Sequence, residues 1–413
     1  MQSWVWGGCL LLAVTLVEAT GVPVRLGNEV LASRHYDVLR GKRVGLITNQ
    51  TGRDATGRST IDKLRAAPGV KLVALFAPEH GLDGTVPAGQ EFTNTTHRPT
   101  GLPLYSLYGP GPTRRPTPAM LKGLDVMVYE LQDTGIRPYT YISTLGFAMD
   151  ACAAAGIPFV VLDRPNPLGG QRVEGPVLDP RFRSFIGQWE IPLIYGMTCG
   201  ELARMINGER WITNRCQLTV VPLEGWRRSM AWSDTRLPWV PTSPNVRTVD
   251  AALCLPTTGV LGEIGGVSIG FGTELPFQIF GASWLDGRQA AEHLNARGLK
   301  GVTFVPFSFQ PNRGAFKDQK LHGVRVRVTH GATAPLLAIN FHVLDAARKL
   351  ANRNLYAEAA KSGKSFNMFD KVNGTDATRL ALARGGSAPT IIAGWKTGED
   401  AFRQRRQKYL LYP

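Results

Sequence analysis

Between residues 43 and 163, short apolar runs alternate with stretches of helical periodicity, and this alternation restricts the fold more than any other feature of the chain. The runs at 43–48, 71–77, 124–130 and 158–163 are apolar along most of their length, as strands covered on both faces must be. Helical patterns at 59–67 and 141–155 separate the first run from the second and the third from the fourth. Parallel neighbours need a long crossover, and a helix is the compact way to supply one. The alternation therefore predicts an α/β fold, a parallel sheet with helices on both faces.

Each run ends in a polar cluster. These are Thr48-Asn49-Gln50-Thr51-Gly52, Pro78-Glu79-His80-Gly81, Glu130-Leu131-Gln132-Asp133-Thr134-Gly135-Ile136-Arg137 and Asp163-Arg164-Pro165-Asn166-Pro167. Open α/β sheets bind ligands beyond the carboxyl ends of their strands, so four such ends converging polar groups predict a site on that edge. Further along, the pattern predicts a helix at 198–207, a strand at 218–222 and a turn at 241–245. After a boundary near Asp250 it predicts a Gly-rich loop at 259–272, a helix at 287–297, a strand at 324–328 and a helix at 335–350. A chain of 413 residues exceeds one ordinary core. The expected division is a signal peptide at 1–19, a Rossmann-like domain at 20–250 and a smaller α+β lid domain at 251–413. No repeat of about 20 to 50 residues is present, which excludes solenoids and propellers.

The apolar segment ending in small residues near Val17 and Ala19 reads as a signal peptide and predicts a periplasmic or secreted protein without stable membrane insertion, although no Lys or Arg precedes it and Glu18 lies in the cleavage region. Cys9 lacks the aliphatic residue three places earlier that lipid anchoring requires, and Cys152, Cys199, Cys216 and Cys254 lack metal-ligand spacing. An exported chain permits disulfides, with Cys199 and Cys216 closest in sequence; buried thiols fit the spacing equally. The formal charge of +15 favours an anionic partner. The densest basic run, at 403–408, has no interleaved stacking aromatics, which argues against nucleic acid. Cell-wall polymer, with its carboxylates, suits such a cation better; a solvated surface that keeps the protein soluble explains the charge as well.

Phosphate-loop and dinucleotide fingerprints are absent, so neither ATP nor NAD is indicated. Gly266-Val267-Ser268-Ile269-Gly270 matches GxSxG, but Phe271 to Pro276 after it does not read as the helix a nucleophile elbow needs. The carboxylates point elsewhere, because glycoside cleavage needs one acid to protonate the leaving oxygen and a second carboxylate to attack or stabilise the cationic sugar. Glu79, Glu130, Asp133, Asp163 and Glu263 are the candidates. Glu79, after an apolar strand and beside His80, is placed where burial raises a carboxyl toward a working acid; a loop-bracing role fits it equally. Arg137 and Arg164 suit paired hydrogen bonds to a substrate carboxylate, or salt bridges to Asp133 and Asp163. Tyr139 and Tyr141 offer faces to a sugar, or simple packing.

Taken together, Thr48-Asn49-Gln50-Thr51-Gly52, Ala77-Pro78-Glu79-His80-Gly81, the segment from Asp133 to Tyr141, Asp163-Arg164-Pro165-Asn166-Pro167 and Ser243-Pro244-Asn245 resemble the exo-β-N-acetylmuramidases of the NamZ type, a family formerly of unknown function (DUF1343), over nearly the whole chain. The resemblance implies a Rossmann-like N-terminal domain, a smaller domain closing over the cleft, no cofactor, and release of N-acetylmuramic acid from non-reducing ends of peptidoglycan fragments. It makes Glu79, with His80, the first catalytic candidate, leaves Glu130, Asp133 and Glu263 competing for the second role, and gives Asn49, Arg137, Tyr139, Tyr141, Asp163, Arg164, Asn166 and Asn245 to the sugar and its lactyl carboxylate. A non-catalytic sugar-binding protein would use the same Arg and Tyr residues without needing Glu79 to titrate. One departure stands out: where family members often carry a Glu and an Arg in the Gly-rich loop, this sequence has Ile269 and Phe271, while Glu263 and Thr273 keep the surrounding pattern. Where that loop meets substrate, the exchange implies a changed preference, toward muramic acid bearing a peptide or an anhydro product.

Overall fold

The computed structural model describes residues 23–110 and 114–413; the expected signal peptide, with Cys9, lies outside the described residues. Seven strands form the main sheet: β1 Arg43–Thr48, β2 Lys71–Ala77, β3 Thr95–His97, β4 Leu102–Ser106, β5 Val126–Glu130, β6 Phe159–Leu162 and β7 Leu218–Val221. Their order is β3-β4-β2-β1-β5-β6-β7. Every neighbouring pair is parallel except β3 with β4. β1 has β2 on one side and β5 on the other, so the strand order reverses there and the topological switch point lies beyond Thr48 and Glu130. β5 and β6 are buried at every position, which is why they read as continuous apolar runs.

The helices follow local chemistry. Ser59 caps Thr60–Ala66 by accepting from the Asp62 amide, and Thr198 with Glu201 forms a capping box for Cys199–Gly208. The helix Tyr141–Ala154 is buried almost all round. It admits Trp189 because residue 146 is glycine: a Cβ there would stand 2.0 Å from the indole ring. The Trp189 indole in turn donates to the Ile142 carbonyl at 2.9 Å.

The second unit has a three-stranded antiparallel sheet, β8 Ile279–Ala282, β9 Val302–Phe309 and β10 Leu321–Val328, in the order β8-β10-β9. Helices Gly287–Asn295 and Ala338–Ala351 share its core. The expected loop at 259–272 is corrected in its first part, because the helix Val249–Ile264 runs through Pro256, Gly259 and Gly262. Proline breaks the helical ladder by lacking an N–H, and here Asn340 braces the turn that follows it. Its Nδ2 donates to the Pro256 carbonyl (2.7 Å) and its Oδ1 accepts from the Leu261 amide (2.9 Å).

The chain then returns to the first unit through the helix Lys396–Arg406. Arg406 donates to the carbonyls of Tyr195 (3.0 Å) and Gly196 (2.6 Å), Arg403 to that of Val173 (2.8 Å), and Arg405 to that of Glu190. Much of the basic run at 403–408 is thus spent on fastening the C-terminal segment. Cys152, Cys199, Cys216 and Cys254 are all free and buried. Among the described residues no helix is long and apolar enough to cross a membrane.

Candidate active site

A cavity of about 660 Å³ lies where the two units meet. The first unit lines it with Glu79, His80, Tyr139, Thr140, Ser243 and Asn245, and the second with Glu263, Ile269, Phe271, Phe277, Arg313 and Lys364, among others. Glu79 and Glu263 are the acidic side chains on its wall.

Glu79 follows β2 after Pro78 and is held from two sides. Its Oε1 accepts from the Gly89 amide at 2.8 Å and its Oε2 from the Thr140 hydroxyl at 2.7 Å. His80 and Gly81 are both left-handed (φ 73° and 76°), which turns the chain sharply after the carboxylate. That conformation is uncommon for a residue with a side chain. The His80 ring helps hold it, with Nδ1 2.8 Å from the Val86 carbonyl. A carbonyl only accepts, so Nδ1 is the donor in this bond. Tyr108 stands close by, its hydroxyl pushed up by burial and by the charge of Glu79, against the pull of Arg114, whose guanidinium lies 3.8 Å over its ring.

Glu263 occupies the last turn of the helix Val249–Ile264. Burial raises its carboxyl above the ordinary value, and the positive charge of Lys364 opposes the rise. The negative end of the helix dipole works in the same direction as burial. Tyr139 donates to the Thr242 hydroxyl at 3.0 Å and meets the Tyr141 ring edge to face. Asn245 Oδ1 accepts from Arg313 at 3.2 Å.

Eight further candidates are not brought to the cavity wall, and each is occupied internally. Arg164 is bonded to Glu130 (2.7 Å), the Arg53 carbonyl (2.9 Å) and Gln132 (3.2 Å), not to Asp163 by its side chain. Asp163 accepts from Thr198 (2.6 Å), Tyr412 (2.5 Å) and the Gly200 amide (2.8 Å), while burial pushes its carboxyl up to about 6. Asp133 accepts from Tyr195 (2.6 Å) and the Gly135 amide (2.7 Å), and burial pushes it likewise to about 6. Arg137 is fully buried on the carbonyls of Pro176, Ile191 and Val372, with no carboxylate partner among the described residues, and burial lowers it to about 9. Asn166 braces Met197 and Leu168, and Asn49 binds Thr51 and the Tyr141 hydroxyl, which donates to the Thr242 carbonyl. Most of them brace irregular backbone beyond the strand ends, which is buried and must find its hydrogen-bond partners within the protein, although Glu130 Oε2, Asp133 Oδ1 and Arg137 Nε have no partner among the described residues.

Ser268 is no nucleophile elbow. Its backbone bridges Gly281 in both directions (2.8 and 3.0 Å), and a turn, not a helix, follows. Arg313 and Lys364 went unrecognised in the sequence. Arg313 lies in a Pro-Asn-Arg-Gly turn between β9 and β10, and Lys364 follows the helix Leu355–Lys361; no spacing ties either residue to Glu79.

Two family models match the chain in succession. They are described as exo-beta-N-acetylmuramidase NamZ, N-terminal, over residues 44–250, and C-terminal, over 253–412. The chain is 41% identical over 389 residues to the peptidoglycan beta-N-acetylmuramidase NamZ of Bacillus subtilis (strain 168), covering 94% of this chain and 91% of that protein. It is similar to two solved DUF1343-family proteins of Bacteroides fragilis NCTC 9343. One is 43% identical with a TM-score of 0.87, covering 95% of this chain and 100% of the other. The second is 30% identical with a TM-score of 0.74, covering 95% and 99%.

The buried carboxyl of Asp133 generates a prediction for stability. Because burial raises its folded value to about 6, the folded state holds the proton where the unfolded chain has lost it. Stability contributed at this position is therefore lost as pH rises from 4 through 6, by about 3 kcal/mol. Urea unfolding at a series of pH values is expected to show Asp133→Asn gaining on the wild type by that order between pH 4 and 7. Parallel pH profiles for the two proteins would refute it.

Proposed function

The chain belongs to the exo-β-N-acetylmuramidase NamZ family, both halves of which it carries in order, and on that premise we propose that it is an exo-acting glycoside hydrolase that releases N-acetylmuramic acid from non-reducing ends of peptidoglycan fragments, with Glu79 and Glu263 as its carboxyl pair. The observation that carries the pairing is that, of five candidate carboxylates, these two line the shared cavity. They come from different units of the fold, facing the space that would hold the sugar.

The surroundings of the two groups divide the work. Glu79 has both oxygens taken by donors, which fixes its orientation and suits it to face the anomeric carbon as positive charge develops there. Glu263 is biased toward its protonated form by burial and suits the leaving oxygen. Hydrolysis then breaks the glycosidic C–O bond, passes the Glu263 proton to the departing sugar, and adds water oxygen to the anomeric carbon. The second water proton restores the acid over the full cycle. The lactyl carboxylate of muramic acid meets Arg313 and Lys364, cations on the cavity wall, in place of Arg137 and Arg164. Its pairing with Lys364 would also relieve the pull of that lysine on Glu263, so the substrate itself favours the protonated acid.

Chromogenic and natural substrates separate the two roles. Glu79→Gln is expected to lose about a thousandfold or more in kcat on both para-nitrophenyl β-N-acetylmuramide and a muramyl–glucosamine disaccharide. Glu263→Gln is expected to lose far more on the disaccharide, because nitrophenolate leaves with little need of a proton. Equal losses for both variants on both substrates would sink the division of roles, and wild-type enzyme inactive on both would sink the function. Arg313→Gln is expected to raise KM for the muramide about tenfold with kcat nearly unchanged, since a lost ion pair of this kind is worth about 1.4 kcal/mol; an unaltered KM removes it from the carboxylate site.

We also propose that the protein acts outside the cytoplasm, in the periplasm or beyond it. The apolar segment ending at Ala19 and the surplus of 47 basic over 32 acidic residues support that reading, since wall polymer is anionic. Mass spectrometry of protein purified from its producing cells is expected to find the mature chain beginning just after Ala19; a chain that starts at Met1 and stays with the cytosol would contradict it.

A further inference from the structure

Among the described residues, the large hydrophobic side chains that remain exposed are Phe271, Met368, Leu380 and Leu411. Two of these four, Phe271 (41% exposed) and Met368 (50%), line the same cavity as Glu79 and Glu263. Water-facing apolar surface is unfavourable unless something covers it, and the ring of Phe271 is not loosely displayed. Its neighbours Gly270 and Gly272 are both left-handed (φ 85° and 81°). A Cβ on Gly270 would stand 2.5 Å from the Leu275 carbonyl oxygen, and one on Gly272 would stand 2.7 Å from that of Arg313. Only glycine fits either position. The loop is tied further by Phe277 N to the Ile269 carbonyl (2.8 Å), by Thr273 to the Gly270 carbonyl (2.8 Å from its hydroxyl) and by Asn312 N to the Gly272 carbonyl (2.9 Å). Phe277 supports the ring edge to face, with centroids 5.2 Å apart.

We propose that Phe271, with Met368 on the wall of the same cavity, is the platform for the leaving-group sugar, the N-acetylglucosamine unit next to the scissile bond. This rests on the exo-muramidase reading and names a subsite within it. A pyranose presents an apolar C–H face flanked by equatorial hydroxyls, and a rigid aromatic ring at a carbohydrate cavity covers that face at little entropic cost. The muramic acid unit bears an anionic lactyl group, which Arg313 and Lys364 match; the neighbouring sugar carries no charge, and an uncharged aromatic surface matches it. Phe271 is therefore a specificity-determining residue for what leaves, whereas the cations select what is released as muramic acid.

The test uses the full chain, the disaccharide of N-acetylmuramic acid β-linked to N-acetylglucosamine, and the two free sugars as inhibitors. Phe271→Ala is expected to raise KM for the disaccharide about tenfold and to weaken inhibition by N-acetylglucosamine by a similar factor, with inhibition by N-acetylmuramic acid unchanged. Phe271→Tyr, which keeps the ring, is expected to behave like the wild type, and Met368→Ala to repeat the alanine pattern at smaller amplitude. Phe271→Ala and Met368→Ala that melt like the wild type and leave KM and N-acetylglucosamine inhibition untouched would overturn the platform while leaving the hydrolase reading intact. Equal weakening of inhibition by both sugars would overturn it too, by moving the ring to the muramic acid side. A wild-type enzyme that fails to split the disaccharide is seen before any variant is made, and it would overturn both readings.

Discussion

The buried ion pair between Glu130 and Arg164 decides where a ligand can sit in this fold. Glu130 ends β5 with no exposure to solvent, at the strand-order reversal where open α/β sheets ordinarily leave a crevice. A lone carboxylate there would be costly to bury. Arg164, arriving from the end of β6, lies 2.7 Å from it and spends its remaining donors on Arg53 and Gln132. Burial still pushes Glu130 upward against that partner, so the pair serves to fill the crevice and pin three loops more than to add stability. With the switch point plugged by the chain's own side chains, the open polar edge moves to the end of β2, where Glu79 and His80 stand.

The same economy governs the seam between the units. Buried guanidinium groups hold carbonyl oxygens there, in addition to exposed ion pairs such as Arg247 with Glu274 at 3.0 Å. Arg137 reaches from the first unit to Val372 in the second, and Arg406 returns from the end of the chain to Tyr195 and Gly196. A planar group with five donors satisfies several turns of irregular backbone at once, which lysine cannot do. Gly374 shows how tightly this is built, since a Cβ there would lie 2.5 Å from an Arg137 nitrogen. These contacts fix the spacing of two units whose facing surfaces carry one carboxylate each, and a pair of acids drawn from separate units works only if that spacing is fixed.

The sheet was largely legible in the sequence, because buried parallel strands write themselves as continuous apolar runs. β3 and β4 were not, being a short edge strand and its neighbour, whose Thr-Thr-His and Leu-Pro-Leu-Tyr-Ser carry no clean alternation. The helix Val249–Ile264 was obscured by Pro256, Gly259 and Gly262, and Asn340, remote in sequence, braces it by bonding the Pro256 carbonyl and the Leu261 amide. The polar clusters at the strand ends were visible, but polarity alone does not separate a residue that meets a ligand from one that braces a buried loop. Glu79 and Asp133 look alike in sequence. One faces the cavity, and the other is bonded to Tyr195 and the Gly135 amide. Arg313 and Lys364 were hidden for the opposite reason, since exposed basic residues in turns are common and only the folded cavity brings these two to one wall.

Division of the cavity between the units also explains why its walls differ in character. The first unit contributes groups fixed by hydrogen bonds: Glu79 on Gly89 and Thr140, His80 on Val86, Tyr139 on Thr242. The second contributes a half-buried acid, two cations and an apolar rim of Ile269, Phe271 and Phe277. Reaction at an anomeric carbon needs its charge-stabilising side rigid, because reorganising dipoles during the reaction forfeits their benefit. The side that chooses the sugar and releases it can be built on surface loops, where residues change without disturbing the sheet. Ile269 and Phe271 lie on that second wall. A change at either position therefore leaves Glu79 and its donors Gly89 and Thr140 untouched.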